Sequence, residues 1–343
     1  MEDRAVLRLS KHAKVGLLGA IVSIIALYFI VTQVNFELFG RALLTANYIY
    51  LLPTIALLMA GLVARAIRWR ILLNHQLPLA RSFSIMNVAY LVNGVLPLRI
   101  GEVARVYLVS RLKKPVPIPQ TTSTIIVERL LDLLSVVVMV LLALTVGPVP
   151  EEIQAASAAF AIMAVAGFLL LITVASKRRW MQRLLALIMQ YLVFLKRFPL
   201  EMWLDQFLDG LSPLMRPRVL SAALGWTVVS WIFSIAAGYV LMFAFFEQGS
   251  LAATLLYIAA AAFAIALPAV PGNIGTYETS ILLALGAMGY EQSSTALAFA
   301  VMVHAVNVFV HASTGVAGFV QEGISLNQLS HGVQQMQQPT EAG

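Results

Sequence analysis

The sequence predicts an all-α polytopic membrane protein of about eight membrane segments, some of them broken rather than continuous. Three observations carry this fold class. Of 343 residues, 60% are hydrophobic and 11% charged, whereas an ordinary soluble domain is roughly 25% charged. The apolar residues fall in long continuous runs, unlike the short alternating segments of a membrane β-barrel. Two proline-glycine stretches, NGVLPLRIGEVARVYLVSR (93–111) and ALPAVPGNIGTYETS (266–280), interrupt this pattern where a helix would otherwise run on. In hydrocarbon an interrupted helix survives only where protein or a polar cavity satisfies its freed backbone groups, so both stretches are candidate sites.

Composition also excludes several chemistries. The chain has no cysteine, which removes disulfides, thiol catalysis and cysteine-ligated metals. No Walker-type phosphate loop and no catalytic triad is evident, and no cofactor or metal is expected. The net charge of +7 comes from basic residues in short loops beside apolar runs. That is the pattern of a protein facing an anionic cytoplasmic leaflet, not of one binding nucleic acid.

The elements follow in order. Arg4, Arg8, Lys11 and Lys14 precede a first helix over about 13–34 and place the N-terminus in the cytoplasm. A second helix over 46–64 ends in RAIRWR, read as its cytoplasmic end. Residues 82–96 carry Ser84, Asn87, Tyr90 and Asn93, and a basic cluster at Arg99, Arg105, Arg111, Lys113 and Lys114 follows. A full crossing would put that cluster outside, so a re-entrant hairpin is the expected arrangement. Helices are expected over 121–146, 155–175 and 220–246, with a basic amphipathic stretch, 177–197, along the inner interface. Segments 251–267 and 277–288 are either full spans joined inside or half-helices meeting near mid-depth. A last helix over 296–320 completes a membrane domain of residues 1–322. The polar tail, 323–343, is expected to be disordered and cytoplasmic.

The two breaks echo one another. Pro97, Ile100, Gly101 and Glu102 resemble Pro271, Ile274, Gly275 and Glu278, with the glutamates offset by two residues. Paired broken helices from inverted repeats build mid-depth sites in many transporters, although any membrane hairpin needs proline and glycine. Pro268 and Gly272 complete the second breaking element.

Charged residues near the breaks are the candidate site. Arg99 and Arg105 could grip a phosphate, since a guanidinium offers parallel donors; snorkelling to the interface is the bland alternative. Glu102 and Arg105 share a helix face. Glu128 and Asp132, four apart in VERLLDLL, would repel if both were ionised and unpaired, which implies either a basic partner, with Arg99, Arg105 and Arg129 as candidates, or a shifted pKa. Glu278 opens an apolar segment and either coordinates a substrate or proton or caps a helix. Asn273 and Tyr277 add hydrogen-bonding groups. His304 and His311, seven apart, fit packing or interhelical hydrogen bonding better than a metal site.

NGVLPLRIGEVARVYLVSR, ERLLDLLSVVV and LPAVPGNIGTYETSILLAL together resemble the lysylphosphatidylglycerol synthase transmembrane-region family, also called the flippase-like domain family, over about residues 10–322. The resemblance implies a bacterial inner-membrane protein, with both termini cytoplasmic, that moves a lipid between leaflets. The expected lipid is an anionic or aminoacylated phospholipid, or a polyprenyl-phosphate lipid. It also implies contributions from Arg99, Glu102, Arg105, Glu128, Arg129, Asp132 and Glu278. The soluble aminoacyl-transferase domain of the multiple peptide resistance factors is not expected in this sequence. A membrane-embedded transferase acting on such a lipid, or a non-catalytic partner of a lipid-synthesising enzyme, is the alternative. A homo-oligomer fits either reading.

Overall fold

The computed structural model describes Tyr28 and residues 35–96, 100–146, 151–266, 271–290, 294–325, 327–329 and 332. The expected first helix (apart from Tyr28), Pro97, Arg99, Pro268 and residues 333–343 lie outside the described residues. All regular elements among the described residues are helical.

α1 (Phe36–Thr45) starts after Asn35, whose side-chain oxygen accepts from the backbone N–H groups of Glu37 and Leu38. This cap satisfies two of the donors that any helix start leaves free. A 3-10 turn over Tyr48–Tyr50 leads into α2 (Leu51–Leu72). α3 (Leu79–Val95) and α4 (Gly101–Ser110) flank the first break. α5 (Ile118–Val146) and α6 (Glu151–Ser176) follow. The chain then bends by 87° into α7 (Arg178–Tyr191). After α8 (Leu200–Leu211) comes α9 (Pro217–Met242). α10 (Leu251–Ala266) and α11 (Thr276–Ala287) flank the second break, and α12 (Ser294–Glu322) closes the helical part.

Among the described residues, three helical stretches are long and apolar enough to cross a membrane: Tyr48–Leu72, Pro217–Met242 and Ser294–Glu322. The bent α6–α7 pair makes a fourth if it counts as one span. α10 and α11 have 16 and 12 residues. At the usual helical rise they extend about 24 and 18 Å, short of a hydrocarbon core about 30 Å thick. α7 presents Trp180, Leu187 and Tyr191 outward, the surface of an amphipathic helix suited to a membrane interface. Arg178 holds it to α8 through Asp205 (2.9 Å) and Asp209 (2.6 Å). These exposed pairs contribute at most about 1 kcal/mol each.

Three apolar clusters hold the helices together. One joins α5, α10, α11 and the first half of α12. A second joins the end of α2 to α3 and α4. The third joins α2, α5, α8 and α9. Small residues let α3 and α12 approach closely: the Ser84 hydroxyl donates to the Gly318 carbonyl at 3.2 Å, the type of crossing that membrane helices favour.

Beyond α12, Leu329 is 2% exposed and belongs to the α2–α3–α4 cluster. Ile324, also beyond α12, packs against the same cluster, so the start of this polar segment is tied to the bundle by its few apolar side chains. Leu329→Ala is expected to cost about 2 kcal/mol, the low end for a buried leucine, read as a lower unfolding temperature in detergent.

Candidate functional site

The first break is held together by Asn93, on the last turn of α3. Its side-chain oxygen accepts from the Gly101 N–H at 2.7 Å, and its amide donates to Glu102 at 3.3 Å. One side chain thus caps the following helix and orients its carboxylate. Gly101 is required by proximity: a Cβ there would lie 2.1 Å from the Ala89 carbonyl oxygen.

Behind this hairpin lies a buried ion network. Glu128 on α5 is fully buried and accepts on one oxygen from Arg68 at 2.9 Å and on the other from Arg105 at 2.6 Å. Arg68, also fully buried, binds Asp132 at 2.6 and 3.3 Å and Thr227 of α9 at 3.3 Å. Arg105 lies 3.6 Å over the Trp69 ring, whose indole N–H donates to Thr124 at 3.3 Å. Arg129 forms looser pairs with Glu102 (3.6 Å) and Asp132 (3.7 Å). Three guanidiniums therefore face three carboxylates. Such pairing is what makes the burial tolerable, because each unpaired buried ion costs several kcal/mol.

The rim of this network is more open than its centre: Arg129 is 34% exposed, Glu102 23% and Asp132 21%. Arg105 is 1% exposed and already engaged on Glu128 and Trp69, so the accessible charge lies at Arg129, Glu102 and Asp132.

The second break has its own polar centre. Gly272, Asn273 and Gly275 have positive φ angles of 73°, 55° and 86°, which glycine adopts without strain and asparagine with little. Pro271 opens the 3-10 turn there. Glu278, in the first turn of α11, accepts from the Gly275 N–H at 2.8 Å through one oxygen and meets His304 Nδ1 of α12 at 2.5 Å through the other. The Tyr277 and His304 rings lie 4.6 Å apart. The Thr276 hydroxyl donates to the Asn273 carbonyl at 2.9 Å. His311 packs on Tyr90 of α3 at 5.1 Å, so the two histidines serve different partners. Among the described residues no cluster suits a metal ion.

The last turn of α3 touches both breaks. Asn93 holds Gly101, while the Gly94 carbonyl lies 3.5 Å from where a Gly272 Cβ would stand. A family model described as the lysylphosphatidylglycerol synthase TM region matches residues 16–315. The chain belongs to that family. No curated protein and no solved structure matches it. Within this family member, Glu102, Arg105, Glu128, Arg129 and Asp132 meet in one network, and Asn273, Tyr277 and Glu278 line the other break.

Arg68 is the residue that sequence reasoning missed. RAIRWR reads as a solvated cytoplasmic helix end, but α2 continues to Leu72 and buries Arg68 completely. The available signal was the Glu128–Asp132 pair, which called for a cation or a shifted pKa without pointing to Arg68.

Proposed function

We propose that this protein moves a phosphate-bearing lipid, a phospholipid or a polyprenyl-phosphate lipid, between the leaflets of the bacterial cytoplasmic membrane. In this reading about eight membrane segments, with both termini cytoplasmic, surround two broken elements. The head group passes along the polar face between the breaks while the acyl tails stay in the bilayer. Arg129 meets phosphate at the rim of the network, and Glu102 and Asp132 meet a cationic part of the head group or a proton. The observation that carries the reading is the convergence of both breaks on the last turn of α3. Each break is followed by a carboxylate in the first turn of its helix. Intramembrane carboxylates and arginines of this kind mark transport pathways by default.

The test is reconstitution into liposomes with lipids labelled in one leaflet. The native chain is expected to speed leaflet exchange. Glu278→Gln should slow it by roughly tenfold or more, because it removes charge-assisted hydrogen bonds to Gly275 and His304. Exchange no faster than in protein-free liposomes would refute the proposal. Group transfer onto the lipid with unchanged leaflet distribution would make the protein a transferase instead.

A further inference from the structure

Arg65 stands outside the three-to-three charge balance of the network. It is half-buried on α2, and among the described residues its recorded contacts are the Ser234 hydroxyl at 3.4 Å and the Trp231 ring at 5.5 Å, with no carboxylate pairing to it. Both contacts lie on α9.

The direction of the side chain matters. Thr54 bonds Ala237 and Arg68 bonds Thr227, so α2 and α9 run antiparallel, with position 65 level with about residue 229. Ser234 is about five residues, or roughly 8 Å, nearer the other end of α9. Arg65 therefore reaches toward the N-terminal part of α2, as helical side chains lean, and away from the basic end that carries Arg70. Snorkelling to that end would point it the opposite way.

The surroundings offer donors. The Trp231 indole N–H is buried and has no hydrogen-bond partner. His311 lies within electrostatic reach of Arg65 and is stacked on Tyr90. An intramembrane guanidinium beside an unsatisfied N–H, with no carboxylate to neutralise it, is complementary to an oxyanion.

We infer that Arg65 and the Trp231 indole N–H bind the phosphate oxyanion of a phospholipid head group inside the membrane domain. This rests on the lipid-handling reading above and names the residue that holds the phosphate deep in the bundle.

The experiment titrates the full-length protein in detergent with dihexanoyl phosphatidylglycerol, dihexanoylglycerol and inorganic phosphate, following tryptophan fluorescence. Saturable binding is expected for the phospholipid and none for the phosphate-free lipid. Arg65→Gln should raise Kd roughly tenfold to a hundredfold. Trp231→Phe, which keeps a ring but removes the N–H, should raise it severalfold and supplies the comparison if Arg65→Gln does not fold. An unchanged Kd in both variants, or equal binding of dihexanoylglycerol, would overturn the inference. Arg65-dependent binding of inorganic phosphate without binding of the lipid would overturn the lipid assignment. Leaflet exchange on the same preparations separates the two claims. Arg65-dependent binding without exchange would refute translocation alone, and exchange with Arg65-independent binding would refute this site alone.

Discussion

Glu128→Gln is expected to destabilise the protein by about 3–5 kcal/mol, the cost typical of breaking a buried ion pair from one side. Among the described residues, Glu128 is the carboxylate bonded by both Arg68 and Arg105, one to each oxygen, and all three side chains are at most 1% exposed. The amide would leave Arg105 with the Trp69 face but no counter-ion, and Arg68 with Asp132 alone. The shape is nearly unchanged, so lost charge and not lost packing would cause the effect. The measurement is the unfolding temperature in detergent by fluorescence-detected gel filtration. A double-mutant cycle of Glu128→Gln with Arg105→Gln should be strongly non-additive, because the second change removes the charge that the first one strands. A native-like unfolding temperature for Glu128→Gln would show that water already screens the network.

Gly101→Ala is expected to break the first hairpin, at a cost of about 3 kcal/mol, the upper part of the usual overpacking range. The added methyl would stand 2.1 Å from the Ala89 carbonyl oxygen and 2.6 Å from the Asn93 side-chain oxygen. Asn93 could rotate, but only by giving up the cap on Gly101 and its bond to Glu102. The Ala89 carbonyl belongs to α3 and cannot rotate away. Gly225→Ala is the control, since a Cβ there meets nothing within 4 Å. Hence Gly101→Ala should lower both the unfolding temperature and leaflet exchange, and Gly225→Ala neither. Equal behaviour of the two variants would mean that the α3–α4 approach is looser than this geometry.

Much of the fold was legible because hydrocarbon imposes strong rules on sequence. Long apolar runs had to be helices, since only helices satisfy their own backbone groups there. The two proline-glycine stretches had to end helices, as they do at Leu96 and after Ala266. The candidate site was legible in part for the same reason: charges are rare in such a chain, so Glu102, Glu128, Asp132 and Glu278 stand out. Their partners were harder to read. His304 lies 26 residues from Glu278, and no periodic pattern links positions on different helices.

The sequence by itself determined the helical membrane class, the family and the positions of the two breaks, because each is set by local composition and short motifs. Only the tertiary structure decided that Arg68 is an interior counter-ion, that Arg105 is committed to Glu128, that Leu329 is buried, and that both breaks meet at the end of α3. Pairing of buried charges depends on distances between helices far apart in the chain, and positive residues at a helix end look the same in sequence whether they face water or a carboxylate.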